Sequence, residues 1–492
     1  MRVWDILSCY GKNNKNYFAR CCMTGKIISD VKRLSEDLKV DCCFDIIKRD
    51  IMIAEKKAAY FYVDGFCKDV IVQKLLEHLM ELKLTDIESS KTADDFIKSQ
   101  LPYTEVATVS DYNEAELAVL SGQFLIVIDG FSDGILLDTR EYPTRGIVEP
   151  DKDRSLRGSR DSFSETLIFN TALIRRRIRD KDLRMEYIQI GKKTKLDVAI
   201  CYMGGTVDEK TLEKLRNRLK AVKLSGVSMA SQAISEVLVP TSFLNPLPRI
   251  KYTERPDYAS ACILEGRIAL VIDNCPSVML FATTFADFLR EADDYYFPPV
   301  TASFVRISRI IVSLFTVFLT PLILLLNEHP AWIPQALDFI KPEEALRMPL
   351  VVQFLLLEFI IDGLKLASLN TPSTISNSLG IIGGLLLSEF AVEAGWFVPD
   401  TIVYISFVAI AGYAQPSLEM GYAMKFGRLF LLILTHFLSF WGLIFGTVVI
   451  LLIFIFSKTL SGNGYFYPVI PFDLKEFGKL FVRPRVRNRG DE

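Results

Sequence analysis

The chain changes solvent near residue 300. From Phe304 to Phe456 long apolar runs dominate, among them Ile310–Leu326 and Leu429–Phe456. Some of these reach the ~18–20 residues that an α-helix needs to cross the hydrocarbon core of a bilayer. The first 300 residues read instead as a charged, cysteine-containing region. Its opening, Met1-Arg2-Val3-Trp4-Asp5, lacks the apolar core of a signal peptide, so this region is expected to stay cytoplasmic. The expected fold class is an α/β cytoplasmic N-terminal region of two related subdomains, followed by an α-helical multi-pass membrane domain. The expected boundaries are 1–150 and 151–299 for the subdomains, 300–460 for the membrane domain and 461–492 for a basic tail.

Composition narrows the function. The formal net charge is -2 and no long basic run precedes the tail, which excludes nucleic acid as an expected partner. All nine cysteines precede the apolar part. An odd count in a cytoplasmic setting points to free thiols. The adjacent pairs Cys21-Cys22 and Cys42-Cys43 lack C-x₂-C spacing, so no metal is expected there. The chain has no P-loop, no G-x-S-x-G, no H-E-x-x-H and no kinase signature, and only three histidines. No catalytic residues and no cofactor are expected, and the protein is read as not an enzyme.

The first 300 residues contain a repeat. Leu120-Ser-Gly-Gln-Phe-Leu-Ile-Val-Ile-Asp129 matches Leu264-Glu-Gly-Arg-Ile-Ala-Leu-Val-Ile-Asp273 at five positions, and Thr104-Glu105 and Thr253-Glu254 precede the two copies. Each copy is a turn glycine, a short buried strand and a terminal aspartate, with helical spacing at Val70–Leu84, Glu114–Leu120, Asp208–Val222 and Met229–Val237. Asp129 and Asp273 end strands, where α/β enzymes often keep catalytic groups, yet no nucleophile or base accompanies them. The basic block Arg175-Arg176-Arg177 reads either as a solvated helix face or as an interface with a neighbouring subunit or anionic lipid. Tyr295–Pro299 is the expected hinge into the membrane, and Arg306 and Arg309 mark a cytoplasmic flank.

Five apolar segments follow: Phe304–Leu326, Pro349–Leu369, Ile375–Phe397, Thr401–Ala414 and Phe426–Phe456. In the second, Glu358, Asp362 and Lys365 fall at i, i+4 and i+7, one narrow helical stripe. Ionisable groups at membrane depth face protein or water, so the stripe reads as pore lining or as an ion-pair network between spans. The polar stretch Asn370–Asn377, with Asn370, Thr371, Ser373 and Asn377, is a candidate pore-mouth element, or an interfacial turn. Glu389 and Glu393 share a helix face and read as cation ligands or as boundary carboxylates. Gly380 and Gly384, and Gly442 and Gly446, are candidate close-packing positions. The basic tail, together with Lys425 and Arg428, places both ends of the last segment on one side, which requires that segment to re-enter or fold back.

Arg145-Gly-Ile-Val-Glu149-Pro150, Arg157-Gly158, the triple-arginine block, Thr253-Glu-Arg-Pro-Asp257 and Leu264-Glu-Gly-Arg267 resemble the GerA family of spore germination proteins, A-subunit type. The stretch Asn370-Thr-Pro-Ser-Thr…Gly383-Gly-Leu-Leu-Leu-Ser-Glu-Phe-Ala-Val-Glu-Ala-Gly-Trp396 resembles a branch associated with dipicolinic acid release more closely than a nutrient-receptor subunit. Ser159 stands where the family has proline. The resemblance implies a protein of the spore inner membrane that forms a homo-oligomeric ring, a pentamer, passes ions during germination and works beside other germination proteins in the lipid. The competing expectation is a scaffold that recruits those proteins and conducts nothing.

Overall fold

The computed structural model describes residues 22–142, 158–222, 230–239, 245–281, 283–341, 347–370, 391–457, 459–460 and 464–483. The chain divides into two units, Met1–Leu238 with Tyr252–Ala282, and Val239–Lys251 with Thr283–Glu492. In this division residues 239–251 fall in the same unit as the helices that follow residue 283.

The first unit is one fold built twice. Its first copy runs α1 (Ile27–Asp37), β1 (Ile46–Ile53), β2 (Lys56–Val63), α2 (Asp69–Glu81), α3 (Leu84–Glu88), α4 (Ala93–Gln100), β3 (Val106–Val109), α5 (Tyr112–Leu120), β4 (Phe124–Ile128) and β5 (Gly134–Leu137). The second runs α6 (Leu167–Arg177), β6 (Leu183–Ile190), β7 (Leu196–Met203), α7 (Glu209–Ala221), α8 (Ala230–Leu238), β8 (Lys251–Thr253), α9 (Pro256–Leu264), β9 (Ile268–Ile272) and β10 (Val278–Phe281). The sheet orders are β1-β2-β4-β5-β3 and β6-β7-β9-β10-β8, the same topology, and the pairs β1·β2, β2·β4, β4·β5, β3·β5, β6·β7, β7·β9 and β9·β10 are antiparallel. The central strands β4 and β9 are buried at every position, as their unbroken apolar runs demand, whereas the edge strand β6 is only partly buried and exposes Tyr187 and Gln189.

The repeated glycine and aspartate have structural roles. Gly122 and Gly266 turn the chain from helix to central strand with φ of +95° and +88°, the left-handed region that favours glycine. Asp129 accepts from the Ile27 amide at 3.4 Å and Asp273 from the Leu167 amide at 3.0 Å. Each aspartate therefore satisfies an open donor at the start of its own copy's first helix, where the dipole also favours negative charge. That accounts for their place at strand ends without chemistry.

The triple-arginine block is the last turn of α6. Arg175 is fully buried and pairs with buried Asp45, Nε–Oδ2 at 2.8 Å and Nη2–Oδ1 at 3.1 Å, tying the second copy to the first. It is therefore not available to a neighbouring subunit or to lipid. Arg176 stacks over the Tyr142 ring at 4.6 Å, and Arg177 pairs with Asp161 at 2.9 Å.

The second unit comprises α10 (Phe285–Phe288), α11 (Asp293–Tyr296), α12 (Pro299–Glu328), α13 (Leu350–Asn370), α14 (Ala391–Glu393), α15 (Pro399–Tyr413), α16 (Leu418–Phe456) and α17 (Leu474–Phe481). Among the described residues, α12 and α16 are long and apolar enough to cross a membrane. α16 is not one straight rod. Ser439 breaks it with φ 50° and ψ -131°, and the two arms fold back on one another. A Cβ at Gly427 would meet Ile450 at 3.5 Å, and one at Gly446 would lie 2.6 Å from Leu431. In a straight helix these positions would be tens of ångströms apart. The reversal packs against the end of α12, where the His329 ring lies 2.6 Å from the Ser439 hydroxyl.

A collar of buried ion pairs holds the start of α12. Asp294, wholly buried, takes Arg306 at 3.2 Å and Arg309 at 3.3 Å, and Arg309 also reaches Glu291 at 2.7 Å. Arg306 donates to the Lys479 carbonyl at 2.9 Å, Asn245 to Ser457 at 2.8 Å, and the Phe285 amide to the Tyr465 carbonyl at 2.9 Å. Arg306 and Arg309 are thus held by buried partners, Asp294 above all, at the start of α12.

Candidate functional site

Two carboxylates on α13 meet two cations on the first arm of α16. Glu358 and Asp362 are one helical turn apart, as are Lys425 and Arg428, so each pair presents on one face. Glu358 lies 2.5 Å from Arg428 and 3.1 Å from Lys425, and Asp362 lies 2.5 Å from Lys425. Glu358, Lys425 and Arg428 are all buried. Arg428 also donates to the Thr316 carbonyl of α12 at 2.6 Å. Thr316 sits six residues inside the apolar run that begins at Ile310, so the network lies within the apolar part of the unit. Lys365, the third member of the stripe, lies over the Tyr413 ring at 4.7 Å.

Thr316, Glu358, Lys365, Lys425 and Arg428 border a cavity of about 80 Å³, whose walls also include Ile405, Val408, Gly412 and Tyr422. Glu358, Asp362 and Lys365 are therefore brought together, as their spacing on one stripe requires. Lys425 and Arg428 complete the group and were missed as site residues. Their three-residue spacing inside an apolar helix, complementary to Glu358 and Asp362, is the signal that finds them.

The other expected positions are dispersed or outside the described residues. Asn370 closes α13, but its side chain is outside them, as are Thr371, Ser373, Asn377, Gly380, Gly384 and Glu389. Glu393 is exposed at the end of α14. Gly442 and Gly446 line the inside of the α16 reversal, where a Cβ at 442 would collide with the Leu434 carbonyl. Their close approach is thus made within one chain. Among the described residues no group of three metal-ligating side chains occurs.

A duplicated α/β unit followed by apolar helices with a buried charge network describes a membrane-associated protein with a large polar half. The model for the family described as Bacillus/Clostridium GerA spore germination protein matches residues 32–490. The chain belongs to this family and is a spore germination protein. It is 31% identical over 440 residues to stage V sporulation protein AF of Bacillus subtilis strain 168, covering 89% of each chain. It is 28% identical over 450 residues to spore germination protein KA of the same organism, covering 90% of this chain and 82% of the relative. Spore germination protein A1 of that organism is 27% identical over 451 residues, with 91% and 92% covered. The crystal structure of the N-terminal domain of the A subunit of the Bacillus megaterium spore germinant receptor GerK3 aligns at 25% identity and a TM-score of 0.41, covering 53% of this chain and 95% of that one.

Proposed function

We propose that this protein is an ion-conducting membrane component of spore germination, active as a homo-oligomer of the pentameric kind. The observation that carries the reading is the buried Glu358–Asp362–Lys425–Arg428 network against a cavity in the apolar unit. Burying the three charges of Glu358, Lys425 and Arg428 costs several kcal/mol more than packing apolar side chains of similar volume, so a helical unit serving only as an anchor gains nothing from them. In this reading the helices lie in the spore inner membrane, the α/β unit faces the cytoplasm and assembles the ring, and ion or dipicolinic acid release is what the protein promotes. Other germination proteins of that membrane are its partners.

The test is flux in reconstituted vesicles. Glu358→Gln and Asp362→Asn are expected to alter ion flux or selectivity while the oligomer persists on native mass spectrometry. Unchanged flux in both variants removes the network from the conduction path. A monomer in lipid removes the channel reading itself and leaves the non-conducting scaffold.

A further inference from the structure

We propose that the cavity beside Arg428 and Lys365 is a binding site for a small monovalent anion, a halide or a short carboxylate. The proposal deepens the conduction reading above, on which its functional meaning rests, but its geometry stands separately. Charge counting comes first. The described residues of the cluster supply two carboxylates, Glu358 and Asp362, and three cations, Lys365, Lys425 and Arg428. Both carboxylates are already taken by Lys425 and Arg428, so Lys365 has an aromatic face but no carboxylate partner. One positive charge, on the half-buried Lys365, is left over beside a largely apolar cavity, where partial desolvation favours a counter-ion.

The second observation is an open donor. Arg428 gives Nη2 to Glu358 and Nη1 to the Thr316 carbonyl, but its buried Nε has no hydrogen-bond partner. A guanidinium has five fixed donors, and one left unpaired in a buried site points to an acceptor that is not protein. Both Arg428 and Lys365 line the cavity. Asp362 Oδ1 is also buried without a partner, but Asp362 is not part of the cavity wall. The room suffices: about 80 Å³ is several times the ~10–15 Å³ that one water requires. A halide or a short carboxylate fits in that space.

The experiment uses the full-length protein in nanodiscs of uncharged lipid, with the thermal midpoint followed at constant ionic strength. Sodium gluconate is replaced stepwise by sodium chloride or by sodium acetate. The expected result is a saturable rise of the midpoint with chloride or acetate, as for any ligand that binds only the folded state. Lys365→Met is expected to weaken the apparent affinity at least ten-fold, and Lys365→Arg to keep it. Should Lys365→Met fail to fold, Arg428→Lys, which removes Nε and keeps the charge, is expected to lose ten-fold in affinity. Equal midpoints in the three salts, or an unchanged shift in the folded variants, overturn the site. Flux in vesicles of the same salts separates the two claims. Anion-specific binding without flux leaves the site and sinks conduction, whereas flux without anion-specific binding does the reverse.

Discussion

Arg175→Met tests how the two copies of the α/β fold are joined. The guanidinium is fully buried, holds Asp45 by two charge-assisted bonds at 2.8 and 3.1 Å, and gives Nη1 to the Leu183 carbonyl at 3.2 Å. Asp45 is itself 2% exposed. Methionine fills most of the volume but leaves that carboxylate buried without a counter-ion. Breaking a buried pair from one side costs about 3–5 kcal/mol, whereas exchanging both partners for apolar residues is often near neutral. At 1.36 kcal/mol per decade, the single change should raise the opening equilibrium of α6 and β1 by roughly two to four decades. Hydrogen exchange by mass spectrometry on the full-length protein reads this directly, because α6 and β1 amides that exchange through such openings speed up in proportion. The double variant Asp45→Leu/Arg175→Met should return protection to within about one decade of the starting chain. Unchanged protection in Arg175→Met, or a double variant as open as the single one, would refute the claim that this pair is the joint.

Three further outcomes follow from particular contacts. Glu116, buried beside Asp37 and 3.5 Å from Lys181, has its carboxyl pushed up to about 7, chiefly by burial. Its folded state therefore holds a proton that the unfolded chain releases near 4.5, so this stability is present below that pH and is lost as pH rises through about 7. The loss should amount to about 3 kcal/mol by pH 8. Glu116→Gln should flatten that slope in thermal unfolding across pH 5 to 8, and an identical slope would remove Glu116 as its source. In a background without the native cysteines, Gly427→Cys/Ile450→Cys should cross-link within one chain through a short bifunctional reagent. A straight α16 would hold those positions roughly 34 Å apart and give no such product. Burial pushes the Cys67 thiol up to about 11, so at pH 8 about 0.1% is thiolate and alkylation of the folded protein should be far slower than after denaturation.

The duplication was legible because it rests on local chemistry. A glycine is required where φ is positive, as at Gly122 and Gly266, and an unbroken apolar strand must lie at a sheet's centre, as β4 and β9 do. The four helical segments expected in the α/β part also appear, as α2, α5, α7 and α8. A reversal in the last segment was expected from the charge pattern, but its position was not. The run Leu429–Phe456 has no proline, and the turn falls on Ser439 rather than on either nearby glycine. A residue held at positive φ by its neighbours leaves no compositional trace. Arg175 was illegible for a related reason, since a buried arginine and a solvated one look alike until the distant Asp45 is placed beside it.

The same reasoning changes how the charges around the helices are counted. Lys425 and Arg428 pointed to a cytoplasmic loop on the rule that basic residues stay on that side, yet both are neutralised inside the helical unit by Glu358 and Asp362. Arg306 and Arg309 are likewise neutralised by Asp294 and Glu291. A cation held in a buried pair no longer votes on sidedness, so that inference passes to the tail, where Lys475, Lys479 and Arg483 follow the last arm. The reversal at Ser439 then carries the argument alone. Two arms of roughly 31 and 26 Å return the chain to the end of the unit from which it left. There Ser457 meets Asn245, Tyr465 meets Phe285 and Lys479 meets Arg306. The collar at the base of α12 is closed by segments drawn from residues 245–251, 283–309 and 457–483. It can close only if the hairpin forms, which makes the buried aspartate Asp294 and the distant Ser439 parts of one structural requirement.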